Sequence, residues 1–253
     1  MSTVTAERRG AIAIVTLNRP ERLNAIGGAL LQDLHLALVE AEHDESVGVI
    51  LFTGAGRAFC AGDDLKEFDL QTETSDAIER HITGIQQITK DLMFSHKLVV
   101  GAVHGFAVGG GFEWLLNCDL TVAADDLVAF FPEMEWGQFV TGGVTHLLPL
   151  AVGYQRAMEL LVLGERQSAA RLCELGLVNW VVPREKMLAR ALEVAEQAAK
   201  KSRFSVGRLK RLINSELSSA LHNALNLEEG TTIQTFQRDE AKERIKMFTE
   251  RKR

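Results

Sequence analysis

Proline is scarce in this chain, with four among 253 residues. That leaves little room for a disordered linker. Cysteine is scarcer still: Cys60, Cys118 and Cys173 are scattered and form no CxxC pair. Such spacing argues against a disulfide framework or a zinc site and fits a reducing compartment. No apolar run approaches the ~20 residues that a membrane span needs. Residues 1–7 carry no apolar signal core. We therefore expect a soluble, cytoplasmic protein with no membrane partner. An excess of basic charge is also missing, since the net charge is -6, so no global field argues for nucleic acid. What is present is a chain 46% hydrophobic and 25% charged. It can bury the core of one large domain, or of one domain with a small appendage.

The most informative stretch runs from Val103 to Glu113 and holds three consecutive glycines, Gly109, Gly110 and Gly111. Leu98 to Val103 reads as a buried strand, and the apolar segment ending at Cys118-Asp119 reads as a helix. Glycines at a helix start let another group approach the backbone. The first N–H groups of a helix have no partner inside it, and with the macrodipole they favour a negative charge. Glu113 falls in that first turn. The combination suits the stabilisation of an oxyanion beside an acid–base carboxylate. The competing reading is close strand–helix packing, for which glycine serves equally well.

Along the rest of the chain, residues 2–8 and 11–17 read as strands around Arg9-Gly10. Residues 18–25 form a loop, and Leu30, Leu34, Ala37, Leu38 and Ala41 predict an amphipathic helix over 27–43. Val47 to Thr53 is a buried strand. The loop after it begins Gly54-Ala55-Gly56, like a dinucleotide fingerprint. Phe59 occupies the third glycine position and no clear helix opens from it, so a nucleotide site is set aside. Residues 66–82 are polar and read as mobile. Ile78, Ile82, Ile85, Ile88 and Leu92 predict a helix over 77–94. Strands follow at 120–124 and 128–131, then a turn at 132–137, a helix starting at 141–146, short helices at 154–163 and 167–174, and a last strand at 178–182. From Arg184 everything reads as helix, over an apolar stripe of Leu188, Ala191, Leu192, Ala195 and Ala199 and then 203–217, 219–236 and 239–250. The chain thus divides into a β/α part, 1–183, and a helical part, 184–253.

Four ordered segments resemble one family. They are Asn18 to Ala25, Ala58 to Lys66, Gly105 to Glu113 with Cys118-Asp119, and Pro132-Glu133 with Gly137. Together they are similar to the crotonase superfamily, the enoyl-CoA hydratases and isomerases, nearly end to end. The resemblance implies an α/β, crotonase-like spiral of ββα units with an all-helical C-terminal trimerisation region. It implies a homo-oligomer, a trimer or a dimer of trimers. It implies an acyl-CoA thioester as substrate, with coenzyme A entering as part of it and no separate cofactor or metal. The backbone N–H groups of Asp63 and Gly110 would form the oxyanion hole. Glu113 and Glu133 would be the acid–base pair of a hydratase. CoA would meet Arg22, Asn24, Ala25, Ala61, Asp63, Asp64, Leu65, Lys66, Gly109 and Gly110. Arg22 and Lys66 would lie near its phosphates. Phe248 and Arg251 match a Phe and a Lys that reach a neighbouring subunit's CoA.

In the expected chemistry Glu113 takes a proton from water, helped towards ionisation by its place at a helix start. Glu133, between Phe131 and Trp136, is the acid, because apolar company raises a carboxyl pKa. Alone, a Pro-Glu in a loop would be a solvated turn. The chain departs from the family at Val140 to His146, where hydratases carry a proline- and glycine-rich turn, and at Arg244, where they carry glycine. His146 and Glu135 add polar groups nearby, and a plain helical role for His146 is favoured. A Δ3-Δ2-enoyl-CoA isomerase using Glu133 alone is the first alternative. Hydrolysis or carbon–carbon cleavage on the same oxyanion hole is another, and a non-catalytic RNA-binding relative is the remote one. The basic stretch Lys200 to Arg211 reads as the wet face of helices.

Overall fold

The computed structural model describes residues 2–67 and 72–251, without the side chains of residues 242 and 248–251. Its centre is a six-stranded sheet in the order β1-β2-β3-β4-β6-β9. The strands are β1 (Val4–Arg9), β2 (Ile12–Leu17), β3 (Val49–Gly54), β4 (Leu98–Val103), β6 (Leu120–Ala124) and β9 (Trp180–Val182). The β1–β2 pair is antiparallel and every later pair is parallel. Parallel sheets are covered on both faces, so their strands are nearly continuous apolar runs. Here Ile12, Ile14, Val49, Leu51, Val100 and Ala102 face one cluster, against Met187, Ala191, Val194 and Ala195. Their neighbours Ala13, Val15, Ile50, Phe52, Val99 and Val103 face the larger cluster. The period of two thus explains why these strands read as uninterrupted hydrophobic runs.

The helices on the larger cluster's side are α1 (Leu30–His43), α2 (Ser75–Met93) and α3 (Gly110–Asn117). The Thr74 side chain caps α2 by accepting from the Ala77 N–H at 3.1 Å, which satisfies one of the unpaired donors of the first turn. A second sheet, β5-β7-β8, stands beside the first. It holds β5 (Phe106–Val108), β7 (Val128–Phe130) and β8 (Gln167–Ser168). The chain then forms α4 (Val144–Val152), α5 (Tyr154–Met158), one π turn (Glu159–Leu163) and α6 (Ala169–Glu174). The helical end comprises α7 (Met187–Ala199), α8 (Arg203–Phe236) and α9 (Asp239–Arg251). This is the crotonase-like α/β architecture that the resemblance implies.

Several elements differ from the sequence reading. Residues 106–108 form the strand β5, pairing with β7, where the sequence runs β4 straight into the glycine helix. Three residues between glycines are too few to show a period. Gln167 and Ser168 pair with β7 and precede α6 instead of opening it. Helix α4 starts at Val144, not Thr141. Residues 203–236 are one helix of 34 residues, because neither proline nor glycine falls between Gly207 and Gly230. On α7 the buried stripe is Met187, Ala191, Val194 and Ala195, and Leu188 is exposed. Among the described residues no helix is long and apolar enough to cross a membrane.

Candidate active site

Two loops meet where β3 and β5 end. The first, after β3, is held by Asn24, which is fully buried with a left-handed backbone, φ 55. Asparagine tolerates that conformation better than most residues. Its Nδ2 donates to Ala55 O at 2.9 Å and Ala58 O at 2.8 Å, and its Oδ1 accepts from the Arg19 N–H at 2.8 Å. Further on, Ile26 and Asp63 form a parallel bridge, with the Ile26 N–H on Gly62 O at 2.8 Å.

Gly62 has φ 76, and a Cβ there would stand 2.7 Å from Val108 O. Gly109 has φ 52, and its Cβ would stand 2.5 Å from Glu133 Oε1. Glycine is required at both positions by conformation, and at Gly62 also by space, since the obstacle there is backbone. Their fit draws Asp63 and Gly110, the residues that follow them, to one place. Gly110 is the first residue of α3, so its N–H has no intrahelical acceptor. Among the described residues, neither the Gly110 N–H nor the Asp63 N–H donates to another protein group.

Both glutamates reach the same place. Glu113, in the first turn of α3, is 1% exposed. Its Oε1 accepts from the Thr141 N–H at 2.8 Å and its Oε2 from Thr141 Oγ1 at 3.0 Å. Burial pushes its carboxyl up to about 7, against the pull of the Thr141 and Gly142 donors. The helix start was expected to favour ionisation; desolvation outweighs it, since burial penalises the charged form. Glu133 leaves the turn after β7 and is buried, not solvated. Its own carbonyl accepts from the Gln138 N–H at 2.8 Å, closing the turn. Phe131, stacked on Phe112 with centroids 4.5 Å apart, fixes the strand side. Burial, then the neighbouring Glu113 and Asp63 charges, raise the Glu133 carboxyl well above its ordinary value. Its Oε2 is buried without a partner among the described residues.

Asp63, Gly110, Glu113 and Glu133 border one cavity of about 20 Å³. Roughly 10–15 Å³ of such volume holds one water. Ile82, Ile85, Phe139 and Phe236 close its apolar side. A third carboxylate stands behind. Glu228 of α8, 1% exposed, accepts from the Gly143 N–H at 2.7 Å, the Thr145 N–H at 2.8 Å and Thr145 Oγ1 at 2.7 Å. It thereby caps α4 from a distant helix and holds the Thr141-Gly142 segment against Glu113.

The family model for enoyl-CoA hydratase/isomerase matches residues 7–253. The chain belongs to this family. The family supports an enzyme of the lyase or isomerase type. A probable mitochondrial enoyl-CoA hydratase of Dictyostelium discoideum is 34% identical over 250 residues, covering 99% of this chain and 89% of that protein. The mitochondrial enoyl-CoA hydratase of Pongo abelii is 32% identical, covering 99% and 86%. Among solved structures, an enoyl-CoA hydratase/isomerase from Mycobacterium paratuberculosis superposes with a TM-score of 0.91 at 27% identity, covering 97% of this chain and 98% of that one.

The other residues expected to touch substrate in this family member are dispersed in role. Asp64 is buried and pairs with Arg19 at 3.2 Å and Arg22 at 3.5 Å. Leu65 packs on Ile78, Ile82 and Phe236. Ala25 is buried, Ala61 half-buried and Lys66 exposed. The side chains of Phe248 and Arg251 lie outside the described residues. Glu135 is exposed, and its carbonyl accepts from Arg244 at 3.1 Å. His146 does not border the cavity.

Sequence reasoning missed His81, Gln138, Thr232 and Glu228, and saw Thr141 only as a departure from the family. A signal existed for two of them. His81 shares the buried face of Ile78, Ile82 and Ile85, and Glu228 shares that of Leu221, Leu225 and Thr232. A polar residue at an apolar-periodic position is a residue held for a purpose.

Proposed function

We propose that the chain adds water across the 2,3 double bond of an enoyl-CoA thioester. One observation carries this: one cavity of a water's size is bordered by the buried Glu113 and Glu133 and by Asp63 and Gly110, whose main-chain N–H groups have no protein acceptor among the described residues. In the reaction, Glu113 and Glu133 grip the water. As its oxygen attacks C3, Glu113 takes a proton. The electron pair of the double bond moves to the thioester oxygen, where the Asp63 and Gly110 amides receive the enolate charge. Glu133 then delivers a proton to C2, and the pair exchanges protons with solvent to reset. A carboxyl titrating near 7 suits a base at neutral pH, and a carboxyl raised higher suits an acid. The addition changes no oxidation level, so coenzyme A enters only as part of the substrate. Arg22 and Lys66 are the cations we assign to its phosphates. We place the exposed apolar side chains of α8, among them Phe204, Leu212 and Ile213, in contacts between subunits of a homotrimer.

A second reading, Δ3-Δ2-enoyl-CoA isomerisation, has its own support. Both Glu113 oxygens accept from Thr141, whereas Glu133 Oε2 has no partner among the described residues. A single unoccupied carboxylate can carry a proton between C4 and C2. The two readings separate by product. Crotonyl-, 3-hexenoyl- and aryl-acyl-CoA are incubated with the enzyme, and products are identified by mass and NMR. Hydration gives a 3-hydroxyacyl-CoA, heavier by one water; isomerisation keeps the mass. Release of free CoA thiol would point instead to hydrolysis or cleavage. Absence of any product from all three would sink both readings.

A further inference from the structure

The residue that offers an oxyanion-hole amide also carries a carboxylate. Asp63 thus brings a negative charge to the place where the reaction would build another. Aspartate side chains readily accept from their own or nearby N–H groups. An unrestrained Asp63 could therefore occupy the two amides itself and repel the enolate.

The structure shows where that carboxylate goes. Asp63 Oδ1 lies 3.0 Å from Nε2 of His81. His81 is 8% exposed and sits on the buried face of α2, between Ile78 and Ile82. Those two isoleucines pack with Phe236 and Ile245 of the helical end. The ring thus stands beside an apolar cluster and is almost wholly shielded from solvent. The other charged groups on the cavity wall are Glu113 and Glu133, both acids. Among the described residues His81 is the one basic side chain there, and Gln138, Thr141 and Thr232 are its uncharged polar companions. A neutral imidazole with its proton on Nε2 donates to Asp63 as an imidazolium does, so the contact does not depend on the ring's charge.

We propose that His81 is a positioning residue: it binds the Asp63 carboxylate and holds it clear of the oxygen that the Asp63 and Gly110 amides receive. The inference rests on the oxyanion hole of the proposed function. It predicts an unusual dependence between two side chains. Without His81, the Asp63 carboxylate becomes an inhibitor built into the site. Without both, the main-chain amide remains and the inhibitor is gone.

The test compares His81→Ala, His81→Gln and the double variant His81→Ala/Asp63→Ala with wild type, each at matched melting temperature. For crotonyl-CoA, His81→Ala should lower kcat about tenfold or more, short of the roughly 10²–10³ of a lost oxyanion donor, and change KM little. His81→Gln, which retains a donor, should keep most of the rate. The double variant should recover most of what His81→Ala lost. Where His81→Ala fails to fold, His81→Phe fills the space without a donor and carries the same expectation. A second readout does not need turnover. Bound acetoacetyl-CoA is driven towards its enolate by an oxyanion hole, and its near-ultraviolet absorbance should fall in His81→Ala and return in the double variant. A double variant as slow as His81→Ala, or a His81→Ala enzyme as fast as wild type, would overturn the proposal. A wild type that neither hydrates crotonyl-CoA nor enolises acetoacetyl-CoA would instead strike the proposed function itself.

Discussion

Glu113 and Glu133 border the same cavity, yet the regions that hold them are built on opposite plans. Glu113 sits in a helix, with Thr141 donating to both of its oxygens, so its carboxylate has donors for its charge even though burial and the Glu228 carboxylate behind oppose that charge. Glu133 sits in a turn, with an oxygen that has no partner among the described residues and with negative neighbours, so its charge has few donors. Burial raises both, and hydrogen bonding is what separates them. Two identical side chains on one cavity can divide into base and acid when one is offered donors and the other is refused them.

That contrast can be broken outright. Glu113→Gln and Glu133→Gln should each lower hydration by about 10²–10⁴-fold, the usual scale of a general acid or base, measured as crotonyl-CoA turnover. Wild-type rates in both would end the assignment. If isomerisation dominates, Glu113→Gln should spare 3-hexenoyl-CoA turnover and Glu133→Gln should abolish it. Next comes the glycine that aligns the amides. Gly62→Ala forces a Cβ against Val108 O in a left-handed conformation. We expect a loss of about 10²–10³ in kcat, as for one missing donor, in a protein that circular dichroism finds folded.

The contrast also has a signature in stability. The folded Glu113 carboxyl titrates near 7 against an ordinary 4.5, so the folded state binds the extra proton. Its contribution is therefore complete below about pH 4.5 and is lost as pH rises through about 7, at a total of about 3 kcal/mol. Glu113→Gln removes that dependence. Its melting temperature relative to wild type should climb from about pH 5 to about pH 8; a constant difference would contradict the raised value. The smallest effect sharpens the comparison. Thr141→Val deletes one donor to Glu113 while keeping the side chain's shape. The acid limb of the kcat/KM profile should move up by about one pH unit, the worth of a hydrogen bond to a charged group.

The main strands were legible because the sheet is covered on both faces. Runs such as Val49 to Phe52 and Leu98 to Val103 have few other ways to be buried. The glycine helix with Glu113 was legible because the chemistry of a helix start is local. The surroundings of these groups were not. Thr141, Glu228 and His81 reach the site from a loop, α8 and α2, and no local pattern links residue 228 to residue 143. The ionisation of Glu113 was misjudged for the same reason. A helix start is visible in sequence, but the burial that overrides it comes from α2, α8 and the 138–141 segment together. Asn24 adds a role that no local pattern shows: its side-chain hydrogen bonds reach residues 19, 55 and 58 and hold the loop.

The carboxylate of Glu228 has a bearing on how the molecule comes into being. It lies more than eighty residues beyond the amides it secures at Gly143 and Thr145. During synthesis the central sheet can emerge and collapse while those amides still lack their acceptor. The pocket around Glu113 can reach its final form only after the ribosome has released most of α8. A nascent chain halted short of that helix should hold its strands and be inert.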